Sequence, residues 1–294
     1  MHLISTLPVT IVTANYNNGR YLDSFFKSIL NSSSLPECVI VVDDGSTDDS
    51  KSILDKFCNE IPNLIVIKFS KNRGFANALN AGMEMVNTEF VLRLDPDDWI
   101  EPKRIETQIK FLEQNRNIGV VGSNVVYVND LNGSVAGNSN FRADHGWISK
   151  KYKNGEYGIM HGAICARSVL FKKYQYQQDY VPAEDYAIFA QMISDGVQFA
   201  NIQEVLSNIR IHSESISNSL KFETIEKIFL LRKKLFKINY SPIEVRFAFI
   251  SRRNYRIALS CDMSFEKIYR LTVASIFNPR AVLRRLRLRL EKSA

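Results

Sequence analysis

The chain has 294 residues, 45% of them hydrophobic and 23% charged, with a net charge of +7. That suffices for a packed globular core, and no apolar run reaches the ~18 residues that a membrane-spanning helix needs. Residues 243–294 hold twelve Lys/Arg against four Asp/Glu, while residues 1–242 hold 26 against 27, and a near-neutral body argues against nucleic-acid binding, whose basic footprint lies on the fold itself.

The first residues, MHLISTLPVTIVTANYN, have no basic opening and are broken by Pro8, so they read as the approach to a strand and not as a signal peptide. Four β-rich apolar runs follow: VTIVTA (9–14), CVIVV (38–42), NLIVIKF (63–69) and EFVLRL (89–94). They are too continuous for half-exposed strands and are expected to be buried on both faces. Between them YLDSFFKSIL, DDSKSILDKFC and FANALNAGMEMV space their apolar residues by three and four, the stripe of a helix packed on a sheet. Alternation at this interval predicts βαβ units and a mostly parallel sheet. Past residue 115, IGVVGSNVVYVND and LNGSVAG read as a strand entering a hairpin-like loop. MHGAICARSVLFKKY is a short apolar segment leading into a helix, and PAEDYAIFAQMISDG is a helix closed by Gly196. VQFANIQEVLSNIRIHSESIS is β-rich and ends in a polar loop around His212; from Phe222 onward the pattern is helical, broken at NPR (278–280). Cys38, Cys58, Cys165 and Cys261 are far apart without C-x-x-C spacing, which argues against a zinc site or disulfide framework and fits the reducing cytoplasm.

In a parallel sheet, ligands bind where the strands' C-terminal ends open into loops. Those loops here are NYNNGRYL, DDGSTDDS, SKNRGFANA and DPDDW, all polar, two with paired acids. Asp95, Asp97 and Asp98 fall within four residues, and two like charges about 4 Å apart repel by roughly 4 kcal/mol at an effective dielectric of about 20. Either water screens this cluster at an open turn, or a cation neutralises it. Neither a G-x-G-x-x-G nor a P-loop pattern is present, so the edge would bind phosphate through a metal and not through a glycine cradle.

VTIVTANYNNGRYL, VIVVDDGSTDDS, NRGFANALNAGM, FVLRLDPDDW, AEDYAIF and IRIHSESIS, in this order and spacing, resemble the family 2 glycosyltransferases of GT-A fold across residues 8 to about 219. The resemblance implies an α/β fold and a catalytic domain over 1–219, its nucleotide-binding half at 1–115 and its acceptor-side half at 116–219. A helical, basic extension over 220–294 lies outside it. The implied reaction is inverting transfer of a sugar from a nucleotide-diphosphate sugar, UDP-linked by expectation, to a saccharide acceptor on a membrane lipid, as in bacterial surface-polysaccharide assembly.

Carried over residue by residue, Asp97 becomes a metal ligand, with Asp95 and Asp98 on ribose, phosphate or metal. The ion would be Mn²⁺ or Mg²⁺, because carboxylates and substrate phosphates suit hard cations. Asp43 and Asp44 are placed on ribose and base, joined by Asn15, Tyr16, Asn72, Arg73 and Gly74. At Ala14, where family members often have Pro or Thr, a backbone contact is implied. Asp185 maps onto the catalytic base, and Glu184 onto its neighbour at the acceptor. Arg210 and His212 map near the diphosphate and metal; His161 and Gly162 shape the acceptor pocket, and Trp99 offers a sugar wall. Each has a plainer reading: Asx turns at the Asp-Pro and Asp-Asp steps, helix-dipole acids at 184–185, a core aromatic at Trp99.

The segment NPRAVLRRLRLRLEKSA, drawn as a helix, puts Leu283, Leu286 and Leu290 on one face, and Arg284, Arg285, Arg287 and Arg289 are its basic residues. It reads either as a helix packed on the body or as an interfacial helix on anionic lipid, which would make the protein peripheral on the inner face of the cytoplasmic membrane. Two other functions stay open on sequence grounds: a metal-dependent phosphohydrolase using the Asp cluster, and a non-catalytic sugar-nucleotide-binding module.

Overall fold

The computed structural model describes residues 5–212, 220–260 and 265–278. The chain divides into two compact units, Met1–Ser213 and Glu214–Ala294. The first opens with strict strand–helix alternation: β1 Ser5–Asn15, α1 Gly19–Leu30, β2 Ser34–Asp43, α2 Ser50–Glu60, β3 Leu64–Lys68, α3 Phe75–Glu84 and β4 Phe90–Arg93. Helix α1 shows why: Tyr21, Leu22, Phe25, Phe26 and Ile29 recur every three or four residues and all are buried, so burial of one stripe stabilises a helix too short to persist alone. The strands run parallel in the order β3-β2-β1-β4. Register places Asn15 opposite Asp43 and Val12 opposite Arg93, which gathers the ends of β1, β2 and β4 at one edge.

The rest of the unit comprises β5 Trp99–Ile100, α4 Arg104–Gln114, β6 Ile118–Asn129, β7 Val135–Asn138, α5 His145–Lys153, β8 Cys165–Arg167, α6 Val169–Lys173, α7 Glu184–Ser194 and β9 Gln198–Ile211. Single 3₁₀ turns occur at His161–Ala163 and Gln178–Tyr180. The sheet continues from β4 through β8, β6 and β9 to β5, with β7 paired to β6. Strand β8 is antiparallel to β4 and β6, β6 is parallel to β9, and β5 is antiparallel to β9. Residues 94–98 therefore leave the middle of the curled sheet and rejoin it at its far edge, which makes the D-P-D-D run a bridge over the strand ends. Beneath it lies a core that includes Val9, Ile11, Phe25, Phe26, Leu92 and Ile105.

Two expectations need amendment. Strand β3 is not buried on both faces: it forms the sheet's outer edge, and Ile65 is 38% exposed. Helix α4 has no counterpart among the expected elements because polar Arg104 and Gln108 lie on its buried face beside Ile105, Ile109 and Leu112, interrupting the apolar stripe that would have announced it.

The second unit contains α8 Phe222–Phe236, α9 Pro242–Ser260 and α10 Phe265–Phe277. Ile225, Phe229, Val245 and Ala248 form its core, with Phe222, Tyr240 and Phe249 packed against them. Ser251 Oγ donates to the Ala274 carbonyl at 2.8 Å, and Arg270 donates to Asn254 Oδ1 at 3.0 Å, tying α10 to α9. Among the described residues no helix is long and apolar enough to cross a membrane. The expected basic helix with its Leu face falls in 279–294, outside the described residues.

Candidate active site

The ends of β1 and β2 are cross-linked by their own polar side chains. Asn15 Nδ2 donates to Asp43 Oδ1 at 3.0 Å and to Ser46 Oγ at 3.1 Å, and Ser46 Oγ also bonds Asp43. The Asp44 carboxylate accepts the backbone N–H of Arg73 at 2.6 Å on one oxygen and that of Gly74 at 2.9 Å on the other. One aspartate thus holds the whole loop between β3 and α3 against the end of β2. Gly74 has φ +95°, a backbone conformation that favours glycine, and its Cα packs against the end of the Gln178 side chain. Gly45 allows the same loop to close, since a Cβ would lie 2.9 Å from the Asn72 nitrogen. Ala14 is buried, whereas Tyr16 is 46% exposed at the rim, and the Arg73 guanidinium lies over the Phe69 ring.

The D-P-D-D bridge is held from beneath and from the side. Arg93, wholly buried on β4, donates to Asp95 Oδ1 and to the carbonyls of Val12 and Leu94. Asp98, 3% exposed, accepts the Arg210 N–H at 2.8 Å. The Arg210 side chain donates to the Asp97 carbonyl at 2.9 Å, to Asp130 Oδ1 at 2.9 Å and to Ser24 Oγ at 3.2 Å. Its guanidinium also lies 4.8 Å from the ring centres of both Tyr21 and Trp99, so those contacts fix both Arg210 and the Trp99 ring. His212 Nε2 meets Asp97 Oδ2 at 2.9 Å. Burial foremost, then the neighbouring aspartates, push the Asp97 carboxyl up and the Asp98 carboxyl well up; the repulsion expected from the sequence is real and only partly screened.

The donor chemistry fits a hard divalent cation. Among the described residues no three His, Cys, Asp or Glu side chains form a self-sufficient metal cage. Small divalent ions in phosphate-transfer sites are commonly held by one or two carboxylates together with substrate phosphates. Asp97 and His212, whose donor atoms meet at the bridge, suit an ion that arrives with a diphosphate.

Glu184 and Asp185 open α7. Asp185 Oδ1 accepts the Tyr157 hydroxyl at 3.1 Å and the Tyr186 N–H at 2.6 Å, so one oxygen of this half-buried group is anchored. Burial raises the Asp185 carboxyl to about 6, opposed by those two donors and assisted by the charge of Asp95. Burial and the Asp185 charge raise Glu184 to about 7, and its Oε2 is buried without a hydrogen bond. Both acids are within electrostatic reach of Asp95. His161 is 8% exposed, bonds Tyr176 Oη at 2.7 Å, and is driven by burial down to about 3, so it is a neutral packing residue in this geometry. Its neighbour Gly162 faces Asp95 directly: a Cβ would sit 2.6 Å from Asp95 Oδ2.

Four further side chains belong to the site: Arg93 and Tyr21, which lie inside the motif segments without a role assigned to them, and Asp130 and Tyr157, which lie outside those segments. Arg93 did leave a signal, since a charge inside the apolar run EFVLRL needs a partner. Asp130 pairs with Tyr21 and Arg210 across 109 and 80 residues, which no local pattern encodes.

The glycosyl transferase family 2 model matches residues 10–176. The amylovoran biosynthesis glycosyltransferase AmsE of Erwinia amylovora is 26% identical over 231 residues, 74% of this chain and 80% of that protein. The Escherichia coli enzyme WfaP, a UDP-Glc:alpha-D-GlcNAc-diphosphoundecaprenol beta-1,3-glucosyltransferase, is 25% identical over 224 residues, 76% of this chain and 85% of that protein. In fold, S. aureus TarS 1-349 in complex with UDP-GlcNAc superposes with a TM-score of 0.61 at 17% identity, covering 92% of this chain and 71% of that one. The mannosyltransferase PcManGT from Pyrobaculum calidifontis, in complex with GDP-Man and Mn2+, gives 0.59 at 14%, covering 97% and 80%. The sheet and the helices on its faces have the GT-A fold, and the chain belongs to glycosyl transferase family 2.

Proposed function

We propose that this protein is an inverting glycosyltransferase that moves a sugar from a UDP-sugar to a hydroxyl of a lipid-linked saccharide in bacterial surface-polysaccharide assembly. One observation carries the reading: Asp185 has one oxygen anchored by Tyr157 and Tyr186, a raised proton affinity, and a position within electrostatic reach of the D-P-D-D bridge. A base must accept the acceptor's proton at working pH and hold still while doing so. Asp185 takes the proton from the acceptor hydroxyl as that oxygen bonds to C1 of the sugar. The C1–O bond to the diphosphate breaks on the opposite face, and its electron pair leaves with UDP. Glu184 sits beside the base on the acceptor side.

On the donor side, Asp43, Asp44 and the Arg73–Gly74 loop form the wall for base and ribose, with Asn15 and Tyr16 at its rim and Asp95 on the sugar-nucleotide. Asp97 and His212, with Asp98 adjoining, would hold Mn²⁺ or Mg²⁺, whose charge offsets that of the departing diphosphate. The activity of WfaP supports the donor class and the lipid-linked acceptor, AmsE's part in amylovoran biosynthesis supports the polysaccharide setting, and the Mn2+ complex of PcManGT supports the metal. Residues 1–219 serve as the catalytic domain. The 220–294 extension, through its basic end, holds the enzyme at the anionic inner face of the cytoplasmic membrane, where such an acceptor resides. Incubation with UDP-sugars, Mn²⁺ and a diphospholipid-linked GlcNAc tests this: a new glycoside supports it, and free phosphate or no product refutes it.

A further inference from the structure

We propose that Arg93 and Gly162 jointly aim the Asp95 carboxylate, which makes Arg93 a positioning residue of the donor site. A strand interior is an unfavourable place for a guanidinium, and Arg93, on β4, is wholly buried. Its fork has a specific use. One terminal nitrogen serves the Val12 carbonyl within β1 and the Leu94 carbonyl just past β4, and the other serves Asp95 Oδ1. The planar guanidinium thereby fixes that oxygen relative to two strands at once, which an ammonium has no geometry to do. Phe75, at the start of α3, covers it with its ring centre 5.4 Å from Cζ.

The other oxygen lies against Gly162. Asp95 Oδ2 fills the space that a side chain at 162 would take, with a Cβ there only 2.6 Å away. Support continues behind the arginine: Arg104, also wholly buried, donates to the Arg93 carbonyl at 2.8 Å and to the Ile164 carbonyl at 3.2 Å. This anchors the end of β4 to the segment that carries Gly162. One cation and one absent side chain meet at a single carboxylate, with a second cation bracing the backbone behind them, although Arg93 itself is walled off from any ligand. Asp97 and Asp98 have no such clamp: their partners come from the end of β9.

The proposal rests on Asp95 being a donor contact, as in the proposed function, and a thermodynamic cycle separates the two. UDP affinity is measured by calorimetry in Mn²⁺ for the parent, Asp95→Asn, Arg93→Met and the double variant, with folding followed by circular dichroism. The clamp predicts that each single change weakens UDP by about 10-fold or more and that the double change is no weaker than the worse single, because residues acting through one another are not additive. Gly162→Ala, alone and with Asp95→Asn, runs the same cycle from the opposite side, and Arg93→Lys replaces Arg93→Met if the latter fails to fold. Losses that multiply in the double variants, or full affinity in Arg93→Lys and Gly162→Ala, overturn the clamp. Unchanged affinity in Asp95→Asn removes Asp95 from the donor site, and the clamp goes with it.

Discussion

Asp43 and Asp44 end a strand, and three of their four oxygens accept hydrogen bonds, from Asn15 and Ser46 on Asp43 Oδ1 and from Arg73 and Gly74 on the two oxygens of Asp44. Glu184 and Asp185 begin a helix, and there burial outweighs hydrogen bonding: Glu184 Oε2 has no hydrogen bond, and both carboxyls are lifted towards neutrality. The first pair organises loops, which suits the recognition of a nucleotide. The second holds proton affinity near working pH, which suits proton transfer. The D-P-D-D bridge falls between the two regimes: arginines bond Asp95 and Asp98, while burial first and the neighbouring aspartates second raise the Asp97 and Asp98 carboxyls, as suits a site completed by a cation. Sequence position relative to strand or helix, and not residue type, separates the roles.

The largest effect that would test this division is at the bridge. Asp97→Ala is expected to abolish turnover and sharply weaken UDP binding in Mn²⁺ with the fold intact; equal UDP affinity in excess chelator would remove the metal from the account. Next comes the recognition pair. Asp44→Ala strands two backbone N–H groups of the 73–74 loop, at a cost of about 1–3 kcal/mol for each one left buried. It should lower both the melting temperature and UDP affinity by calorimetry, and a change in kcat alone would show that Asp44 belongs with the proton-transfer pair.

Smaller effects concern pH. With Asp185 raised to about 6 by burial, the base form is lost as pH falls through that value, so kcat/KM should decline on the acid side below about 6; a profile flat to pH 5 would contradict the assignment. The stability effect has the opposite sense. A carboxyl raised above its unfolded value binds more protons when folded, so stability falls as pH rises from the unfolded value through the folded one. Asp185→Asn and Glu184→Gln should therefore melt no lower, and slightly higher, than the parent at pH 8, where a purely structural acid would give a loss. Smallest in reach is the basic end: flotation with phosphatidylglycerol vesicles should carry the full chain at low salt and release it at high salt. Protein that stays behind at low salt would end the membrane proposal.

Much of this was legible in the sequence because the acids stand where strands end or helices begin. NYNN, DDGS and DPDD each follow an apolar run, and parallel strands deliver their ends to one edge. What escaped had physical reasons. Strands β5 and β8 have two and three residues, too short for any period to show. Helix α4 hides behind Arg104 and Gln108 on its inner face. The stacking of Arg210 on Trp99 and its pairing with Asp130 depend on β9 meeting β5 and β6, a tertiary fact. The resemblance assigned His161 to the acceptor pocket, and the bond of its ring to Tyr176 Oη is a contact that no motif encodes. Arg93 was visible all along as a charge in an apolar strand, but its partner two residues on becomes apparent only once the chain bends at Pro96.

The central claim is that Asp185 does proton transfer and not binding. The direct measurement is a paired one on Asp185→Asn: UDP affinity by calorimetry in Mn²⁺, and the rate of glycoside formation on a diphospholipid-linked saccharide at saturating UDP-sugar. The account predicts affinity within a few-fold of the parent and a transfer rate lower by at least ~10²-fold, the usual worth of a general base. Transfer within a few-fold of the parent, or a loss of UDP binding that matches the loss of rate, would contradict it.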